Sequence, residues 1–61
     1  MCLSTVYRIG SNGSKQLLAE DVATVRYSEG KLVFSDIMGI QTETDGQIER
    51  IDLMDNYIYI S

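Results

Sequence analysis

The sequence contains no histidine, no proline, no tryptophan and only one cysteine. Without histidine there is no Ser-His or Cys-His pair to activate a nucleophile, and no imidazole metal ligand. One cysteine excludes an internal disulfide, and leaves no resolving thiol for redox catalysis within the chain. No glycine pattern of the G-x-x-x-x-G-K-[ST] or G-x-G-x-x-G type is present, so no phosphate-cradling loop is expected. Positive charge is scarce: five Lys and Arg stand against nine Asp and Glu, a net charge of −4. Nucleic-acid binders ordinarily carry the opposite balance, because neutralising phosphates supplies most of their non-specific affinity. No apolar run approaches the roughly 20 residues of a membrane-spanning helix, and the start of the chain lacks the charged and apolar regions of a signal peptide. No membrane partner is therefore expected. A free cysteine without an export signal points to the reducing cytoplasm.

Sixty-one residues make one domain at most, here expected to span 1–61. A chain of this size buries roughly 60% of the surface that its unfolded form exposes, so its stability is marginal unless a metal, a partner copy or a well-formed core supports it. At 44% apolar and 23% charged residues the composition is that of a globular chain rather than a disordered one.

Turn signals recur along the chain. Asn12-Gly13, Glu29-Gly30, Asp45-Gly46 and Asp55-Asn56 each separate runs rich in β-branched and aromatic residues, and these pairs accept the positive φ of tight turns. The alternation predicts strands over 2–9, 14–18, 22–28, 31–36, 38–43, 47–53 and 57–60, with a polar break at Ala19, Glu20 and Asp21. A short helical turn near Ala19 is the alternative for that break. Leu3, Tyr7 and Ile9 are expected on one face of the first strand, Leu32 and Phe34 on the inner face of the fourth, and Ile58 and Ile60 opposite Tyr57 and Tyr59 on the last. Ile48 and Ile51 are three apart, which predicts a bulge between them. The expected fold is all-β: a small SH3-like or Sm-like barrel of six to seven short antiparallel strands.

Two features carry candidate chemistry. Tyr57 and Tyr59 share a strand face and offer either a base-stacking platform for single-stranded RNA or a packing face. The deficit of positive charge weighs against nucleic acid. Cys2 is the second feature. The amine of Met1, the amide nitrogen of Cys2 and its thiolate would close two fused five-membered chelate rings. Such a planar N,N,S set suits Ni(II), with Cu(II) as competitor. The fourth donor has to come from elsewhere, most economically from a second Cys2 across a twofold axis, which predicts a homodimer. If Met1 is removed, the Cys2 amine and thiolate of two chains give N2S2 instead. The competing reading makes Cys2 a small buried residue of the first strand, and position alone leaves both open. The acidic pairs Glu20-Asp21 and Asp52/Asp55 read as solvated turns.

The opening Met1-Cys2-Leu3-Ser4, with Val6-Tyr7 close behind, and the late Gly46-x-Ile48-x-x-Ile51-Asp52-Leu53 strand resemble the CooT family over essentially the whole chain. That resemblance implies a small β-barrel and a non-enzymatic accessory role for nickel carbon monoxide dehydrogenase, with Ni(II) bound through Cys2, in some members as a homodimer. The family has also been labelled RNA-binding from its barrel shape. Of its functional residues Cys2 alone transfers; Met1 enters through the chelate chemistry of its amine.

Overall fold

The computed structural model describes residues 2–61. Six strands follow one another: β1 (Ser4–Ile9), β2 (Lys15–Ser28), β3 (Lys31–Asp36), β4 (Gln41–Thr44), β5 (Ile48–Asp52) and β6 (Tyr57–Ile60). They form one sheet in the order β4-β3-β2-β1-β6-β5. The all-β expectation holds, and no helix long and apolar enough to cross a membrane occurs among the described residues.

Three features of the sheet's continuity and pairing differ from the sequence reading. The stretches 14–18 and 22–28 are one strand of 14 residues, neither interrupted nor helical at Ala19. Asp21 takes a positive φ of 54°, and the β1–β2 register shifts between the pairs Ser4↔Val22 and Val6↔Ala19. The polar triplet is therefore a kink that turns β2 without ending its ladder. Second, β1 and β6 run parallel, with Val6 opposite Ile58 and Tyr7 opposite Tyr59, so the sheet is not purely antiparallel. Third, the ladder ends at β4 and β5, which do not pair with each other. The sheet is open, and the expected SH3-like or Sm-like barrel closure is absent from its hydrogen bonding.

β2 pairs β1 along its first half and β3 along its second. Bent at Asp21, it lets Leu32 and Phe34 of β3 pack with Val6, Ile58 and Ile60 of the parallel pair, with Val22 at the bend. Leu18, Ala19, Val25 and Ile48 pack against this cluster from its margins. Phe34, Leu32, Ile60 and Val6 are the largest fully buried side chains. On β1 the buried residue is Val6, and Tyr7 lies on the opposite face. The β1 strand begins at Ser4, leaving Cys2 and Leu3 ahead of it. The predicted bulge is present as a register shift between Ile48 and Arg50.

Arg8 ties the end of β4 to Ser61, the residue after β6. Its guanidinium donates to the carbonyl of Ser61 at 3.2 Å, to the hydroxyl of Thr44, and to the carbonyl of Asp45 at 2.8 Å. Beside it, Gly46 has φ +134°, and a Cβ there would fall nearer than 3.0 Å to the Ser61 carbonyl oxygen. Glycine is required at this close approach.

Candidate metal centre

Cys2 is a free, exposed thiol immediately before β1. Exposure removes the buried-core reading of this residue. The strand behind it is fastened on both sides: Ser4 pairs with Val22 on β2, and the Thr5 amide donates to the Asn56 carbonyl at 3.0 Å. Val22 in turn pairs with Asp36 at the end of β3, and the Ile37 amide donates to the Asp21 carbonyl at 3.2 Å. The start of β1, the bend of β2, the β3–β4 loop and the β5–β6 loop thus meet at one end of the molecule, and Cys2 projects from it.

The two loops there share one design. The Asp36 carboxylate accepts the amides of Met38 at 2.8 Å and Ile40 at 3.0 Å. The Asp52 carboxylate accepts the amides of Met54 and Asp55, each at 3.0 Å. An aspartate that binds backbone amides two or more residues ahead fixes a turn locally. Each turn presents an exposed methionine at its tip. Asp52, read as a solvated acid, is thus a loop cap, with Arg50 3.6 Å from its other oxygen.

The described residues contain no group of three or more His, Cys, Asp or Glu side chains able to hold a metal ion. Met1, the other expected donor, lies outside the described residues. The donors that fit a square-planar ion are those local to Cys2, its thiolate and amide nitrogen. Both belong to a residue that faces solvent, ahead of the first strand.

Tyr57 and Tyr59 lie elsewhere, on the outer face of the β1–β6 pair. Tyr7 joins them, its ring centroid 5.9 Å from Tyr57 and 6.0 Å from Tyr59. Lys15 stands over the Tyr59 ring at 5.1 Å. No sequence signal connected Tyr7 to this group, because the parallel pairing that unites them spans 52 residues. All three rings are half-buried against each other.

The model of the family "CO dehydrogenase accessory protein CooT" matches residues 1–61. The chain belongs to the CooT family. A crystal structure of a protein provisionally assigned as CooT, from Carboxydothermus hydrogenoformans, superposes with a TM-score of 0.88 at 22% identity. The match covers 97% of this chain and 94% of that one; at that identity it speaks for the fold alone. No curated protein matches the chain. The residues that carried the CooT resemblance now have physical roles. Gly46 admits the Ser61 carbonyl, Ile48 packs on the core, Asp52 caps the loop, and Ile51 and Leu53 are exposed.

Proposed function

We propose that this protein binds Ni(II) as cargo through its N-terminal Met-Cys, as a metallochaperone or store in the maturation of carbon monoxide dehydrogenase. The observation that carries the reading is the exposed free thiol of Cys2, ahead of a strand fastened on both sides, in a chain of a family of CO dehydrogenase accessory proteins. A transferable ion calls for a ligand that solvent and a client can reach, and exposure supplies that. The donor set is the Met1 amine with the Cys2 amide nitrogen and thiolate. The fourth position is filled by Cys2 of a second copy, which makes the loaded form a homodimer. The protein acts by binding and is not an enzyme. Its place is the cytoplasm, where the thiol stays reduced.

The test is nickel titration of untagged, metal-free protein beside Cys2→Ser, with sedimentation giving the stoichiometry. A thiolate-to-metal absorption band is expected in the parent and not in the variant. An extension ahead of Met1 weakens binding by removing the primary amine. Affinity falls with falling pH, because the thiol, the ammonium group and the Cys2 amide must each shed a proton to bind the metal. Equal nickel affinity in Cys2→Ser refutes the proposal.

A second reading, single-stranded RNA on Tyr57 and Tyr59, gains support from Tyr7 and from Lys15 over the Tyr59 ring. It predicts RNA binding that weakens with salt and is lost in Tyr59→Ala. No binding at low salt disposes of it.

A further inference from the structure

Asn12-Gly13 serves the fold as a turn, and it also carries chemistry of its own. Glycine has no Cβ, so its amide nitrogen can reach the side-chain carbonyl carbon of a preceding asparagine with little hindrance, and asparagine is among the residues that degrade on standing. The other asparagine, Asn56, is followed by the bulky Tyr57. Ser11, Asn12, Gly13 and Ser14 are all exposed, and a Cβ built on Gly13 would meet nothing within 4 Å. Solvent therefore reaches this loop.

The closed hairpin works against the reaction. Residues 11–13 join the two strands, and the Gly10 amide donates to the Ser14 carbonyl at 2.8 Å across the loop. Gly13 takes the left-handed φ of +82° that a three-residue hairpin loop calls for. Its N–H, the nucleophile, donates to the Gly10 carbonyl at 2.9 Å, so the proton that has to leave is held. The Asn12 Oδ1 accepts the Ser14 amide at 3.1 Å and the Ser14 hydroxyl at 2.7 Å. These two bonds fix the side chain and take away the freedom it needs to bring Cγ onto the Gly13 nitrogen. They also polarise the carbonyl, which favours attack. Fixing wins, because attack needs a near-attack geometry and a nitrogen free to lose its proton.

We propose that Asn12 is a latent deamidation site, silent while the β1–β2 hairpin is closed and converted when it opens. Such local opening costs less than global unfolding. In the open loop the Gly13 nitrogen gives its proton to solvent and bonds to the Asn12 Cγ. The bond from Cγ to the side-chain nitrogen breaks, and that nitrogen leaves as ammonia. Water then opens the resulting succinimide at either carbonyl. One product is aspartate; the other is isoaspartate, whose main chain runs through the side chain and is longer by a methylene. Water is the co-reactant, and nothing is oxidised or reduced. The longer main chain no longer fits the loop that the Gly10–Ser14 and Gly13–Gly10 bonds close. Opening also frees one side of β1, the strand behind Cys2, so the product is a permanent record that this strand has come loose. This goes beyond the nickel reading and stands without it.

The test incubates the untagged, metal-free, reduced chain in mildly alkaline buffer, folded in one arm and denatured by guanidinium chloride in the other. Trypsin cuts after Arg8 and Lys15, so the peptide 9–15 carries Asn12 and not Asn56. Its mass reports loss of the amide, and an isoaspartyl methyltransferase assay counts isoaspartate. Conversion is expected in the denatured chain and is slower by about tenfold or more in the folded one, because the loop must first give up its hydrogen bonds. Ser14→Ala leaves the denatured rate unchanged and speeds the folded one; a thermal melt verifies that it folds, and the comparison within the parent decides without it. Asn12→Asp melts with the parent, since a carboxylate accepts the same Ser14 bonds, and the purified isoaspartate form melts lower. Equal rates in the folded and denatured chain, or no conversion in the denatured chain, overturns the proposal. So does an unchanged folded rate in Ser14→Ala, or an isoaspartate form that melts with the parent.

Discussion

Replacing Gly46 with alanine should be among the costliest single-methyl additions this chain can receive. Gly46 sits at φ +134°, where a side chain brings about 1–3 kcal/mol of backbone strain. The added Cβ also meets the Ser61 carbonyl oxygen inside the closest approach real Cβ atoms make, so the end of the chain has to move. Two hydrogen bonds depend on its present position: the Ser61 amide to the Gln47 carbonyl at 2.9 Å, and Arg8 to the Ser61 carbonyl at 3.2 Å. Losing both costs about 1 kcal/mol each. The sum is about 3–5 kcal/mol, which for a domain of this size lowers Tm by about 12–40 °C. Gly13→Ala is the internal control. Its φ is +82° but nothing lies within 4 Å of the added Cβ, so strain alone acts, about 1 kcal/mol and a smaller drop in Tm. Thermal melts followed by circular dichroism compare the two. Deleting Ser61 in both backgrounds closes a double-mutant cycle: without the obstructing carbonyl, the Gly46→Ala penalty should shrink to that of Gly13→Ala. Equal Tm losses for Gly46→Ala and Gly13→Ala in the full chain would refute the reasoning.

Phe34→Ala removes the largest fully buried side chain and should cost about 3–5 kcal/mol; urea titration should find the variant largely unfolded at room temperature. Arg8→Lys keeps the charge but not the fork that reaches Ser61, Thr44 and Asp45 together, and a loss of about 1–2 kcal/mol in chemical denaturation is expected. Lys31→Ala should stay within about 0.5 kcal/mol of the parent, because the Lys31–Glu43 pair is 3.7 Å long and both side chains are about half exposed.

The strands that sequence alone locates best are those whose two faces differ most. In β3 and β6, Leu32/Phe34 and Ile58/Ile60 are buried and follow a clean period of two. The bulge was readable too, since Ile48 and Ile51 cannot share a face without an extra residue between them. The first strand is ambiguous because both of its faces carry apolar groups. Val6 enters the core while Tyr7 turns outward to the other tyrosines, and periodicity cannot decide between them. Ala19-Glu20-Asp21 resembles a loop for a physical reason: an aspartate at positive φ usually ends a strand, but here it bends one. The parallel β1–β6 ladder has no local signal, since it joins residues about 52 apart. For the candidate site, the residue type at Cys2 was legible but its exposure was not. The apolar loop tips around it were missed because Met38, Leu53 and Met54 look like core residues until the strands that flank them are placed.

The parallel ladder between the first and last strands also sets an order of events in time. Thr5, Val6, Tyr7 and Arg8 have their partners at Tyr57, Ile58, Tyr59 and Ile60, so one side of β1 stays unpaired until β6 has been synthesised. Contacts this distant in sequence form late and slowly. The hairpins of β2, β3 and β4 can assemble on the emerging chain, while the strand behind Cys2 is held from one side only. That strand gains its second partner when β6 arrives, and a chain cut short before Tyr57 never reaches that state. Synthesis of β6 thus acts as a checkpoint: Cys2 is displayed ahead of a strand fastened on both sides only in molecules in which β6 has been made.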